Sequence, residues 1–268
     1  MSPKICRRIL LAAAVFLSVV IVAATGAQPS TPTLTVLYDN SAFQPACTAG
    51  WGFSALIQGA GPTILFDAGA EEAVFLKNVD ALKVNLNAID LVFISHDHGD
   101  HTGGLAAVLR KKPGLPVYVA ASAQRGFQDQ VAAAGGRVVA VKDPQVLAPG
   151  VLSTGDLGDT IHEEALLLDT PRGLVVVTGC AHPGIVSILE RTKIVGKRNI
   201  WMVLGGFHLY ETAPADVAKI IGRFKELGVQ RVGATHCTGD AAIEMFRKAF
   251  GPNFVEMGVG RTIDLGIR

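Results

Sequence analysis

Residues 91–104, Leu-Val-Phe-Ile-Ser-His-Asp-His-Gly-Asp-His-Thr-Gly-Gly, constrain this chain more than any other stretch. The apolar run 91–94 is too short for a helix and rich in branched and aromatic side chains, so it reads as a buried strand. Directly behind it stand three imidazoles and a carboxylate: His96, His98, Asp100 and His101. A fold that holds this segment must end a central strand where polar side chains converge on a common partner, and a zinc-type ion suits both imidazole nitrogen and carboxylate oxygen. His96 and His98, two apart in extended chain, point to the same side and chelate one ion; Asp100 and His101, past the bend at Gly99, are free to face a second. A loop that only caps a helix would use Asp100 or Thr102 and has no need of three histidines.

The flanking pattern says what kind of sheet the segment belongs to. Strand-like runs cover 33–38, 54–58 and 63–67, with a turn at 59–62, and a helix is predicted over 71–82. Strands and helices then alternate: PVYVA at 116–120, an Ala-rich helical stretch at 121–134, RVVAV at 137–141, and a loop. ALLLDT and LVVVTG form a hairpin through Pro171-Arg172-Gly173. NIWMVL precedes an amphipathic helix with Val217, Ile220, Ile221, Phe224 and Leu227 on one face; RVGAT, a short helix over 240–249 and a β-like tail complete the chain. No repeat or low-complexity linker interrupts this order, which predicts a single α/β domain of two sheet-containing halves. A chain that is 49% hydrophobic and 18% charged can bury such a core. Its net charge of 24 − 23 = +1, with no basic run, gives nucleic acid or an anionic surface no electrostatic purchase, so the expected partner is a small-molecule substrate.

The N-terminus has its own logic. Lys4, Arg7 and Arg8 precede an apolar run over 9–24 that ends in Thr25-Gly26-Ala27. This layout predicts a signal peptide over 1–27, cut after Ala27, and an exported domain over 28–268, periplasmic or secreted. The run is shorter than the ~20 residues of a spanning helix, so a retained membrane anchor is the alternative. Removing Cys6 leaves Cys47, Cys180 and Cys237, an odd number that indicates no disulfide framework.

The words VLYDN (36–40), ILFDAG (64–69), SHDHGDHTGGL (95–105), VVTGCAHPGI (176–185), LGGFHL (204–209) and ATHCTG (234–239) resemble, in order, the metallo-β-lactamase superfamily. They are most similar to its branch of 7,8-dihydropterin-6-yl-methyl-4-(β-D-ribofuranosyl)aminobenzene 5′-phosphate synthase-like proteins. Where that branch has glutamate-histidine-glycine, this chain has Gly50-Trp51-Gly52. The resemblance implies an α/β fold, the αββα four-layer sandwich, with metals at the edge where strand-end loops meet. It also implies that His182 completes a first metal site with His96 and His98, and His236 a second with Asp100 and His101. Cys180, where many members have a bridging aspartate, rivals His182 for the metal shell. Asp100 and His208 are the implied catalytic residues, His208 as proton donor to the leaving group or as a contact to an anionic substrate. Asp67 either orients a ligand loop or caps the helix behind it; Asp39 and Asn40 either face the site or form a turn. His162, with Glu163 and Glu164, stands where some relatives place a third ligand, although an exposed turn is the ordinary reading. Two zinc ions are implied, with manganese or iron as alternatives. Zinc lowers the pKa of bound water to ~7, so a bridging hydroxide could attack a small ester, lactone or phosphoester. The alternatives are a synthase of the pterin branch and a metal-binding protein without catalysis.

Overall fold

A computed structural model describes residues 32–59 and 61–266, so the segment read as a signal peptide lies outside the described residues. The first half of the chain runs β1 (Thr33–Tyr38), β2 (Ser54–Gln58), β3 (Ile64–Phe66), α1 (Glu72–Ala81), β4 (Leu91–Phe93), α2 (Gly99–Thr102), α3 (Leu105–Lys111), β5 (Pro116–Ala120), α4 (Arg125–Ala133) and β6 (Arg137–Val141). The second half runs β7 (Gln145–Ala148), β8 (Val151–Ser153), β9 (Leu166–Thr170), β10 (Gly173–Thr178), α5 (Ile185–Gly196), β11 (Ile200–Gly206), α6 (Pro214–Glu226), β12 (Arg231–Thr235), α7 (Asp240–Phe250) and β13 (Thr262–Asp264).

The strands form two sheets, ordered β13-β1-β2-β3-β4-β5-β6 and β12-β11-β10-β9-β8-β7. Each is part antiparallel and part parallel: β3 to β6 run parallel in the first, β10 to β12 in the second. Leu34, Phe53, Phe66 and Phe93 of the first sheet pack against Val175, Val177, Met202 and Leu204 of the second, so the central core lies between the sheets. The outer faces are covered separately. Phe75 and Val79 of α1, Val108 and Leu109 of α3 and Val131 of α4 cover the first sheet; Ile188 of α5, Val217 and Phe224 of α6 and Phe246 of α7 cover the second. The layers are therefore helix, sheet, sheet, helix, the expected αββα sandwich.

Helix α5 and strands β7 and β8, absent from the sequence reading, are explained by their chemistry. Helix α5 buries Ile185, Ile188, Leu189 and Thr192 at helical spacing, but its isoleucines, valines and threonine favour strands, which masks the period. Strands β7 and β8 turn at Pro149-Gly150 on a sheet edge where Val146 is exposed, so no alternation of buried and exposed residues marks them.

Candidate metal centre

Each candidate side chain stands just past the C-terminal end of a strand. Asp39 and Asn40 follow β1, Asp67 follows β3, and Ser95 to His101 follow β4; Cys180 and His182 follow β10, His208 follows β11, and His236 follows β12. Parallel neighbours end at one edge, so this edge of the sandwich gathers loops that are far apart in sequence. Reaching inward bends the backbone: Asp67, Ala181, His208 and His236 all adopt φ between 50° and 64°, the left-handed region that non-glycine residues avoid.

The six predicted ligands come together in two groups. His96, His98 and His182 form one; Asp100, His101, His236 and Cys180 form the other, and within each group the ligand atoms lie within 4.8 Å of one another. His182 thus joins His96 and His98, while Cys180 joins the second group, so the two are not rivals for one position. Asp100 Oδ2 is 3.6 Å from His101 Nε2 and 3.4 Å from His236 Nε2, and Cys180 Sγ is 3.2 Å from His101 Nε2.

A layer of buried hydrogen bonds aims the imidazoles. Asp67, fully buried, accepts the Ser95 N–H at 2.7 Å, the Ser95 hydroxyl at 2.8 Å and the His101 Nδ1–H at 2.7 Å. Because the Ser95 hydroxyl donates to Asp67, its oxygen accepts from His96 Nδ1 at 2.9 Å. Glu163 accepts the N–H groups of Cys180, Ala181 and His182 and, at 3.0 Å, His182 Nδ1. Asn40 accepts from His236 Nδ1 at 3.0 Å and donates to the His236 carbonyl, which fixes its own orientation. All four rings are held by Nδ1–H, which leaves each Nε2 as an acceptor with its lone pair turned inward. His96 Nε2 and His236 Nε2 are buried without a hydrogen-bond partner. An orphaned buried polar atom costs ~1–3 kcal/mol, and a cation held in each group, the first by His96 and the second by His236, removes that cost. The residues present fit a metal.

The electrostatics agree. Burial, and then the like charge of His236, push the His101 pKa down to about 3, so the ring is neutral and can ligate. Burial opposes ionisation of Asp100, but the imidazoles of His236 and His101 beside it hold its carboxyl well below the usual range. Glu163, where burial is outweighed by the His96 charge and the His182 hydrogen bond, is likewise held low. Its neighbour Glu164 behaves oppositely: burial pushes it up to about 8, with one hydroxyl, that of Ser153, donating to it.

Several sequence expectations are sharpened or corrected. Asp67 orients the ligand loop, and no side-chain cap is made at the start of α1. Glu163 and Glu164 are buried, so the expected exposed turn is wrong for both; half-exposed His162 pairs with Asp156 at 2.8 Å and belongs to neither metal group. Asp39 is buried and accepts the Thr235 hydroxyl, while Asn40 faces the site. His208 lies exposed at the mouth, its ring 4.4 Å from that of His182. Two residues with no role expected of them hold predicted ligands in place: Ser95, through His96, and Trp51, noted only as a departure from the branch pattern, whose Nε1–H donates to Asp100 Oδ2 at 2.9 Å. Ser95 adjoins the cluster and could have been suspected on that ground; nothing local marks Trp51 as a partner of Asp100.

Comparison with known proteins agrees with this geometry. The model of the metallo-beta-lactamase superfamily matches residues 48–195. The chain is 28% identical to 7,8-dihydropterin-6-methyl-4-(beta-D-ribofuranosyl)-aminobenzene-5'-phosphate synthase of Methanocaldococcus jannaschii, over 85% of this chain and 95% of the relative. The crystal structure of Tm1679, a metal-dependent hydrolase of the beta-lactamase superfamily, superposes with a TM-score of 0.75 at 28% identity, covering 87% of this chain and 99% of the other. The metallo-beta-lactamase fold protein YhfI from Bacillus subtilis, 19% identical, shares the fold with a TM-score of 0.65, over 87% of this chain and 99% of its own.

Proposed function

Because the chain belongs to the metallo-beta-lactamase superfamily, we propose that it is a dinuclear zinc hydrolase acting on a small ester, lactone or phosphoester. The observation that carries this reading is the four imidazoles tied by Nδ1–H with their Nε2 atoms turned into one buried volume, two of them unpartnered. His96, His98 and His182 would hold one ion, and Asp100, His101 and His236, with Cys180 in reach, the other. Three protein ligands suit a catalytic position open to solvent, and four suit a closed one, so the first group is the better candidate for the reacting side. When bound, such ions activate water near neutral pH and neutralise negative charge developing on the substrate.

The chain's own residues supply the rest. His208 shares with His182 and Pro183 a cleft of about 360 Å³ walled by the 158–161 loop. A hydrogen bond with the Cys237 side chain raises the His208 pKa, which keeps its proton available nearer neutral pH, as a donor to a leaving group requires. The carboxylates of Asp67 and Glu163 keep the ligand imidazoles turned inward by Nδ1. The positive, then apolar N-terminal segment supports export. The test is hydrolysis by the zinc-loaded full chain across esters, lactones and phosphodiesters, with His98→Ala as control. Turnover in the wild type alone is expected; equal rates in both would defeat the proposal. A second reading, a synthase that joins two substrates, is favoured by the relative from M. jannaschii matched over nearly its whole length. A condensation assay with and without that relative's substrates separates the two.

A further inference from the structure

The rings around the metal groups close into a circuit. His96 to His98, His98 to His182 and His182 to His208 have centroid separations of 4.6, 4.9 and 4.4 Å. His208 to Tyr210, Tyr210 to Trp51 and Trp51 to His236 follow at 5.4, 6.4 and 5.0 Å; His236 to His101 and His101 to His96 close it at 5.1 and 4.2 Å. Five members of this circuit are predicted metal ligands and His208 is the proposed proton donor. Trp51 and Tyr210 fill the remaining arc and offer no ligand atom to either group.

Both are unusually open for their size. Trp51 is 55% exposed and Tyr210 50%, and their rings meet edge to face at 86°. Single exposed aromatics are ordinary, but an adjacent pair on the rim of a polar site is a place where a ligand buries area. The Trp51 loop is also fixed. Gly50 N–H donates to the Asp39 carbonyl at 3.0 Å, Gly52 N–H to Asn40 Oδ1 at 3.3 Å, and Phe53 N–H to the Asp100 carbonyl at 3.2 Å. A Cβ at Gly52 would lie 2.4 Å from the Asp100 carbonyl oxygen, and Gly52 has φ +143°, so the close approach requires glycine. A large apolar ring held rigidly in solvent has little ordering entropy left to lose on binding.

We infer that Trp51 and Tyr210 form a subsite for a planar aromatic ring on the substrate, between the second metal group and His208, so that the chain prefers aryl esters or aryl phosphoesters. The preferred chemistry rests on the hydrolase reading above; the ring-binding subsite does not. In the reaction, water's oxygen bonds to the acyl carbon or phosphorus and the bond to the aryl oxygen breaks. That oxygen takes a proton from His208, which the attacking water's proton restores. Trp51 has a second role as a positioning residue, through its Nε1–H on Asp100.

Phosphonates, whose carbon–phosphorus bond resists hydrolysis, test binding apart from turnover. Calorimetry on the zinc-loaded full chain compares phenylphosphonate with methylphosphonate. Wild type should bind the phenyl compound roughly 2- to 10-fold tighter, the range expected for one aromatic contact. Tyr210→Ala, at an exposed position where loss of fold is not expected, should bring the ratio close to one. Trp51→Phe, which keeps a ring face and loses the Asp100 hydrogen bond, should keep the ratio while weakening zinc retention. Equal affinities in wild type, or a ratio unchanged by Tyr210→Ala and Trp51→Ala, would overturn the subsite. A phenyl preference in a protein that hydrolyses nothing would support the subsite and remove the hydrolase reading.

Discussion

Adjacent glutamates with opposite charge states offer a quantitative test of how the site is built. Glu163 is ionised and receives four N–H groups at 2.8–3.0 Å. Glu163→Gln keeps one oxygen for the Cys180 and Ala181 N–H groups but turns an NH2 toward the two donors of His182. Two hydrogen bonds to a charge are lost, at ~1.5–3 kcal/mol each, so the variant should lose about 3–6 kcal/mol of stability. With His182 Nδ1 untied, zinc affinity at the first group should fall ~10- to 100-fold. Glu164, raised to about 8, is protonated at pH 7 and accepts from the Ser153 hydroxyl, so the isosteric Glu164→Gln should cost less than ~1 kcal/mol there. Urea unfolding at pH 7 and competition with a zinc chelator measure both quantities. If the two variants cost the same, or Glu163→Gln costs under ~1 kcal/mol, the assignment of charge to Glu163 and neutrality to Glu164 is refuted.

Three further outcomes follow from the same contacts. The Glu164 pKa is raised from 4.5 to about 8, so between those values the folded state holds a proton the unfolded state has released. Its contribution to stability is therefore full below pH 4.5 and is lost as pH rises to about 8, with a slope of up to ~1.4 kcal/mol per unit that should appear as the difference between wild type and Glu164→Gln when unfolding is followed across this range. At Gly179 a Cβ would lie 2.0 Å from Ser95 Oγ and 3.0 Å from Asp67 Oδ2; Gly179→Ala should weaken zinc binding in both groups at once, read by metal content after dialysis. Asp67→Asn places an amide against donors from Ser95 and His101, and should lower the zinc affinity of the second group ~10- to 100-fold, read by the same chelator competition.

What the sequence made legible was whatever chemistry is local. Four of the six predicted ligands share the word after β4, and the other two, His182 and His236, could be named only through the family resemblance of their words; strands with strong apolar runs, such as β4 and β10, declare themselves. The supporting residues did not. Glu163 lies in a turn whose composition looks solvated, and it is buried only because the loop after β10 folds back and offers it four N–H groups. Trp51 meets Asp100 across separate loops, and no spacing pairs them. Cys180 and His182, two apart, read in sequence as rivals for one ion; the left-handed turn at Ala181, φ 64°, sends them to different groups. Helix α5 was hidden by its own β-branched residues. In each case the missing information is tertiary: which strand end lies beside which.

If these side chains hold two ions in separate groups, metal content per chain, measured by plasma mass spectrometry on folded, zinc-supplemented wild type, His98→Ala and His182→Ala, should show it. Two equivalents of zinc are expected in wild type, with loss of the first-group ion in both variants and the Asp100, His101 and His236 group retaining its own. A folded wild type that binds no transition metal would contradict that expectation.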